Sequence, residues 1–177
     1  MIVGNRIPYQ YFRTTGFGQS DIAVHAGSYH LALQAAGIER ANIMTYSSIL
    51  PKDAVEVEMP ENYVHGEVME CIMSVCTGKK DEYACSGIVS GMLYEKETGE
   101  VFGGLVCENS VVTKQIKKVA GLKDTLTASL NELYINGFDD KYELRNIKYL
   151  INYELIDKQF GTSLCALCFV SYKVPIY

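Results

Sequence analysis

Three apolar, strand-like segments follow one another in the middle of the chain, and they restrict the fold more than any other feature. They run from Glu67 to Cys76, from Tyr83 to Tyr94 and from Val101 to Cys107. Short polar stretches at residues 79–81 and 96–99 separate them, and residues of these types favour tight turns. The pattern therefore predicts an antiparallel meander.

Other segments also have the composition of strands. Residues 1–13 mix apolar and polar positions and predict an opening strand, and Val55 to Met59 alternates as a strand with one buried face does. Tyr142 to Leu155 and Ser163 to Val174 complete the predicted sheet structure. The last segment is apolar enough to predict a central strand.

Two stretches have the spacing of a helical face. The first follows Ser20, a suitable N-cap, and Gly37 closes it at its C-terminal end. Its apolar positions are Ile22, Ala26, Tyr29, Leu33 and Ala36. The second lies between Val111 and Tyr134 and ends at Gly137, and its apolar positions are Val112, Ile116, Val119, Leu122, Leu126 and Leu130.

Before the first helix, residues 14–21 contain Gly16 and Gly18, which we interpret as a flexible turn. A phosphate-binding loop is the alternative, but its glycine fingerprint is incomplete. Long strands with two intervening helices predict an α+β fold in which helices cover the sheet faces. A chain of 177 residues suits one domain, 1–177, with one core.

Charge argues against two classes of partner. Sixteen Lys and Arg against 21 Asp and Glu give a net charge of −5, and no basic cluster stands out. We therefore expect neither a nucleic acid nor an acidic membrane surface as a partner. The N-terminus lacks an apolar signal core, and no apolar run approaches the roughly 20 residues that span a bilayer. A cytoplasmic protein is expected.

The six cysteines do not form a recognisable disulfide framework or zinc site. Cys165 and Cys168 form a C-x-x-C pattern, but they lie in a strand-like segment, where positions three apart point to opposite faces. With only three histidines in the chain, metal ligation is not expected. We interpret the cysteines as small buried apolar residues in a reducing compartment.

The segment from Asn42 to Pro51 reads Asn-Ile-Met-Thr-Tyr-Ser-Ser-Ile-Leu-Pro, a strand that ends in a constrained corner. An ordinary Ser-Ser pair here is a simple turn. A serine hydroxyl in a strained corner can instead attack the preceding carbonyl, and elimination and hydrolysis then leave a pyruvoyl group. Asn42, the nearest upstream side-chain amide, is a candidate donor to the oxyanion.

This decamer resembles the processing site of pyruvoyl-dependent arginine decarboxylases. Residues 26–38 are similar to the helix that precedes that site in the family, and residues 103–108 resemble the strand that carries its acidic catalytic residue, here Glu108. The C-terminal order of helix and strands also fits, so the likeness covers nearly the whole chain. It implies an αββα sandwich with mainly antiparallel sheets and two main helices.

The resemblance also implies an activity. Cleavage between Ser47 and Ser48 would give a β chain 1–47 and an α chain 48–177 that begins with a pyruvoyl group made from Ser48. This group would form a Schiff base with L-arginine, release carbon dioxide and yield agmatine, without pyridoxal phosphate or a metal. Glu108 would protonate the product. The family assembles as trimers, so a homotrimer or a dimer of trimers is implied.

One residue departs from the family pattern. His30 stands where the family has the helical aspartate that holds the guanidinium group of arginine, and histidine cannot form a bidentate pair with it. Asp21 is a candidate substitute. Two alternatives stay open: the same chemistry on another amino acid, or a trimeric binding protein that has lost self-processing.

Overall fold

A computed structural model describes residues 4–176 of the chain. The fold is α+β, with two stacked sheets between outer helices. The strands are β1 (Ile7–Ser20), β2 (Asn42–Thr45), β3 (Ile49–Pro51), β4 (Val55–Glu56), β5 (Val68–Lys79), β6 (Tyr83–Glu95), β7 (Val101–Thr113), β8 (Tyr142–Leu155) and β9 (Phe160–Lys173). The helices are a kinked segment (Val24–Tyr29), interrupted by the non-helical Gly27, that continues into α1 (His30–Ala35), a short α2 (Ile116–Ala120) and α3 (Leu122–Gly137).

The two sheets differ in the directions of their strands. One is five-stranded and mixed, in the order β2-β5-β9-β1-β4, because β2 and β4 pair in parallel with their neighbours. The other is four-stranded and antiparallel, in the order β3-β7-β6-β8. Residues 161–169 of β9 are all buried, which confirms its predicted central position.

Three layers of buried side chains confirm the αββα sandwich. Leu33 of α1 packs with Phe12 on the outer face of the five-stranded sheet. Ile72 and Ile88 meet between the two sheets. Leu126 of α3 lies in the cluster on the outer face of the four-stranded sheet. Each helix therefore covers one sheet, and the sheets cover each other.

The flexible turn predicted at residues 14–21 is wrong, because β1 runs through it to Ser20. Gly16 and Gly18 lie directly beneath α1. A Cβ atom at Gly16 would overlap the carbonyl oxygen of Ala32, and one at Gly18 would overlap the backbone at Ser28. The glycines are therefore strand residues that let the helix backbone approach the sheet closely.

The first helix begins later than predicted. Ser20 ends β1, and its hydroxyl accepts a 3.2 Å hydrogen bond from the Ile22 amide instead of capping the helix that begins at Val24. Ile22 is 91% exposed and does not belong to the buried face. Residues 21–23 carry the chain away from the sheet, so the helix cannot begin directly after Ser20. Gly37 has φ 73°, as a C-terminal closing glycine does.

The predicted meander is only partly correct. β6 and β7 form the expected antiparallel pair, but β5 belongs to the other sheet, where it pairs with β9. Residues 80–82 therefore carry the chain from one sheet to the other. A short polar stretch suits a hairpin or a crossing between sheets about 10 Å apart, and its composition does not distinguish them.

Two further boundaries differ from the prediction. The alternating stretch Val55 to Met59 forms only the two-residue strand β4, and both of its residues are exposed. β7 continues to Thr113, so Val112 belongs to a strand and not to the second helix. The predicted opening strand begins at Ile7, and its residues 1–3 lie outside the described residues.

The cysteines are all free thiols. Cys168 packs in the layer beneath α1 and Cys165 in the layer between the sheets, which confirms that the two point to opposite faces. None of the helices in residues 4–176 is long and apolar enough to cross a membrane.

Candidate active site

Ser47 and Ser48 lie where the chain passes from one sheet to the other. β2 belongs to the five-stranded sheet and β3 to the four-stranded sheet, and only residues 46–48 separate them. The Tyr46 amide donates to the Cys71 carbonyl at 2.8 Å, and the Ser48 carbonyl accepts from the Val106 amide at 3.0 Å. The crossing is therefore anchored to a strand of each sheet, on either side of Ser47.

A three-residue turn surrounds the bond between the serines. The Ile49 amide donates to the Ser47 carbonyl oxygen at 2.9 Å, so Ser48 is the central residue of a γ-turn. The φ angle of Ser48 is not positive, which makes it the inverse type that is common at strand ends. The corner predicted from the sequence is thus tight, and a donor already points at the carbonyl that self-cleavage would attack.

The Ser48 hydroxyl donates a 2.6 Å hydrogen bond to Glu108 Oε2. Both residues are half-buried. Glu108 lies two residues after Val106 on β7, so it shares the strand face that packs against the other sheet. Burial first, and then the negative charge of Glu108, raise the pKa of the adjacent Cys107 thiol. The fold thus joins two candidates that are 60 residues apart.

The strand segment that carries Glu108 is held from the neighbouring sheet. The buried Ser74 hydroxyl of β5 donates to the Asn109 carbonyl at 2.7 Å and accepts from the Gly87 amide at 3.3 Å. A shallow depression of about 300 Å³ reaches Glu108 from the surface beside these residues. A small molecule therefore has a route to the carboxylate.

Asn42 occupies a different place from Ser48. It is exposed at the start of β2, and its side-chain amide donates to the Gly66 carbonyl at 2.7 Å. Five extended residues span roughly 16 Å, so Asn42 lies well upstream of the bond between Ser47 and Ser48. Its role as an oxyanion donor stays a prediction. The donor that the sequence reasoning missed is the Ile49 amide, which no side-chain pattern reveals.

His30 and Asp21 also lie away from Ser48 within one chain. Both are exposed, and they flank the helical layer on the outer face of the five-stranded sheet, whereas Glu108 faces the space between the sheets. Asp21 Oδ1 accepts a 3.1 Å hydrogen bond from the Gln159 amide. Any contact of these two residues with a substrate at Ser48 would need a neighbouring protomer, and their roles stay predictions.

A buried carboxylate close to the crossing was also missed. Glu70 is 2% exposed and pairs with Arg6, next to Tyr46 and Tyr172. Within the sequence, Glu70 is one charged position in a strand-like segment and carries no signal of its own. Among residues 4–176, no group of three or more His, Cys, Asp or Glu side chains is arranged to hold a metal ion.

Known proteins match nearly the whole chain. The sequence profile of the family described as "Pyruvoyl-dependent arginine decarboxylase" matches residues 10–174. Pyruvoyl-dependent arginine decarboxylase AaxB of Chlamydia trachomatis serovar L2 is 28% identical over 195 residues, which cover 98% of this chain and 96% of the relative. The AaxB protein of Chlamydia muridarum is 27% identical over 194 residues, with the same coverage of each chain.

A shorter match comes from an archaeon. The pyruvoyl-dependent arginine decarboxylase of Methanocella arvoryzae is 37% identical over 71 residues, which cover 38% of this chain and 42% of the relative.

Proposed function

Because the chain belongs to the family of pyruvoyl-dependent arginine decarboxylases, we propose that it cleaves itself between Ser47 and Ser48 and converts L-arginine to agmatine and carbon dioxide. The observation that carries the proposal is the 2.6 Å hydrogen bond from the Ser48 hydroxyl to Glu108. It places a nucleophile beside a carboxylate at the residue that the family converts into its cofactor.

The contacts around Ser48 suit the cleavage reaction. The Ser48 oxygen attacks the Ser47 carbonyl carbon, the peptide C–N bond breaks, and the nitrogen takes a proton to become a free amine. The Ile49 amide, 2.9 Å from the Ser47 oxygen, stabilises the negative charge that develops there. Loss of the Ser48 Cα proton then breaks the bond between Ser48 Cβ and the ester oxygen, which releases the Ser47 carboxylate and leaves dehydroalanine at residue 48. Water replaces the nitrogen of the remaining dehydroalanine as ammonia, which leaves a ketone on residue 48.

The same residues suit the decarboxylation. The pyruvoyl group supplies a ketone that condenses with the substrate amine and accepts the electrons released with carbon dioxide. The Val106 amide donates to the residue-48 carbonyl at 3.0 Å and so stabilises negative charge on that oxygen. Glu108, whose Oε2 atom is 2.6 Å from the Ser48 hydroxyl oxygen in the uncut chain, then gives a proton to the product carbon. In this proposal the reaction uses neither pyridoxal phosphate nor a metal.

Intact-mass analysis of the purified protein tests the proposal. We expect a fragment of residues 1–47 and a fragment of residues 48–177 whose N-terminus is blocked to sequencing. Ser48→Ala should leave the chain uncut, because the attacking oxygen is gone, whereas Ser110→Ala, at an exposed serine on the same strand as Glu108, should cleave normally. A single stable chain in the unsubstituted protein would instead support a binding protein that has lost self-processing.

His30 favours a second candidate function, the same chemistry on another amino acid. It stands at the family's guanidinium-binding position, yet it is exposed and cannot pair with a guanidinium as a carboxylate does. Carbon dioxide release across a panel of amino acids separates the two candidates. Release from L-arginine in preference to neutral amino acids supports the first.

The proposal extends to assembly and location. A single domain of residues 1–177 would, after cleavage, form a homotrimer or a dimer of trimers in the cytoplasm, with amino acids as its small-molecule partners. Native mass measurement and cell fractionation test these two points.

A further inference from the structure

Glu70 is a buried carboxylate that the proposed reaction does not use. Its side chain is 3% exposed, and it lies on the face of β5 that packs toward the other sheet, as Ile72 does. One oxygen, Oε1, pairs with Arg6, and the other, Oε2, is buried without a hydrogen-bond partner in residues 4–176. A buried carboxylate oxygen without a donor is costly, so an unpaired Oε2 indicates a binding capacity that the chain leaves open.

The surroundings of Glu70 match those of a guanidinium-binding site. The Arg6 guanidinium stacks 5.1 Å above the centre of the Tyr172 ring while its Nη2 atom pairs with Oε1. Planar cations of this kind bind carboxylates with two parallel hydrogen bonds and stack on aromatic rings. The Tyr172 hydroxyl is also buried and has no hydrogen-bond partner within the described residues 4–176. Arg6 therefore pairs with only one of the polar atoms, Oε1, that the cluster offers to a guanidinium group.

The cluster adjoins the segment that carries Ser48. Burial first, and then Glu70, raise the pKa of Tyr46, whose ring also packs 5.6 Å from that of Phe169. Burial and the same carboxylate raise the pKa of Tyr172. Tyr46 precedes Ser48 by two residues, which span roughly 7 Å when extended. The side chain of an amino acid bound at residue 48 has a similar reach.

We propose that Glu70, with Tyr172 and Tyr46 around it, binds the guanidinium group of the substrate in the site begun by Ser48 and Glu108. This inference rests on the proposed function and assigns the role that His30 cannot fill. Arg6 occupies the same carboxylate in the free protein. The Arg6 side chain is 56% exposed and precedes β1, so a substrate guanidinium that takes both Glu70 oxygens replaces it as the cation beside the buried carboxylate.

The experiment compares the affinity for agmatine, measured by titration calorimetry, between the purified full-length protein and two variants. Glu70→Gln should raise the dissociation constant about 10- to 100-fold, because it replaces a charge-assisted contact with a neutral one. Arg6→Ala should lower it by about two- to fivefold, because it removes the internal competitor. The proposal therefore predicts that the two substitutions change the dissociation constant in opposite directions.

The exposed pair of Arg145 and Glu143 on β8 provides matched controls. Glu143→Gln and Arg145→Ala should leave the dissociation constant unchanged. If Glu70→Gln binds agmatine as the unsubstituted protein does, or if both cluster variants weaken binding, the pair is only structural and the proposal is wrong. If Glu70→Gln does not fold, Arg6→Ala alone tests the proposal. Agmatine binding that is unchanged or weaker in Arg6→Ala would show that Arg6 does not compete with agmatine for Glu70.

Failure of this inference is distinct from failure of the proposed function. A protein that cleaves at Ser48 and releases carbon dioxide from amino acids, but fails to bind agmatine, retains the pyruvoyl reaction and refutes the role of Glu70. A protein that stays uncut, yet binds agmatine in a manner that depends on Glu70, keeps this inference and refutes the reaction.

Discussion

At the scale of single residues, two hydrogen bonds hold Ser48 and a third spans it. Its hydroxyl donates to Glu108, its carbonyl accepts from Val106, and the carbonyl before it accepts from Ile49. Each contact matches a step of the proposed chemistry: attack, charge on the residue-48 carbonyl, and charge on the Ser47 oxygen. Two of the donors are backbone amides, so substitution of a side chain alone does not remove them.

The two roles of Glu108 can be separated by substitution. Glu108→Gln keeps an oxygen that accepts from Ser48, so the chain should still cleave, but its amide has no acidic proton to transfer, and turnover should fall about 100-fold or more. Glu108→Ala removes the acceptor as well and should slow cleavage by about tenfold. Intact mass over time measures cleavage, and carbon dioxide release from the cleaved protein measures turnover. Full turnover in Glu108→Gln would remove this residue from the acid role.

At the scale of elements, the first helix depends on two glycines in the strand beneath it. Gly16 and Gly18 bring β1 close enough to the backbone of α1 that no side chain fits between them. The Thr14 hydroxyl adds a 2.7 Å hydrogen bond to the Ala36 carbonyl at the end of α1. Close approach buries Leu33 and Ala36 against the sheet. The helix therefore owes its position to residues that lie outside it.

Gly16→Ala tests this packing. A methyl group at residue 16 collides with the Ala32 carbonyl, which is backbone and cannot rotate away, so we expect a loss of stability of about 1–3 kcal/mol or more. Gly137→Ala is the control, because a Cβ atom at this end of α3 meets nothing within 4 Å. Its stability should stay the same or rise by up to about 1 kcal/mol, because alanine has the higher helix propensity. Urea unfolding of both variants measures the difference, and equal stabilities would contradict the close packing.

At the scale of the whole molecule, the proposed cleavage would divide the chain without dividing the fold. Residues 1–47 contain β1, α1 and β2, and β1 lies between β9 and β4 within the five-stranded sheet. Its register with β9 runs from Ile7 opposite Lys173 to Ser20 opposite Phe160, and β2 pairs with β5. The two fragments would share one sheet and the core beneath α1.

We therefore expect the cleaved fragments to stay together. On native gel filtration, both should elute in one peak at the position of uncut Ser48→Ala protein, because the strand pairing and the buried core are the same in both. In strong denaturant they should separate. Mass analysis of the peaks provides the measurement, and loss of residues 1–47 from the native peak would contradict the shared sheet.

Much of this architecture was readable from local patterns. The strand predicted from Tyr142 to Leu155 has those bounds as β8, and the helical spacing of Leu122, Leu126 and Leu130 marks the buried face of α3. Such patterns are legible because burial on one side of a strand or helix imposes a fixed period on the residues. The family resemblance likewise marks the serine pair and Glu108 as candidate site residues, and their catalytic roles stay predictions.

Tertiary structure alone decided how these pieces meet. The polar stretch after β5 has the composition of a hairpin, yet it joins two sheets, and the Gly16 and Gly18 pair resembles a turn, yet lies under a helix. The contact of Ser48 with Glu108 and the burial of Glu70 beside Arg6 join residues 60 and 64 positions apart. Local sequence records which side of an element is apolar, but contacts between distant residues arise only when the sheets stack, and they determine which donors and charges face each other.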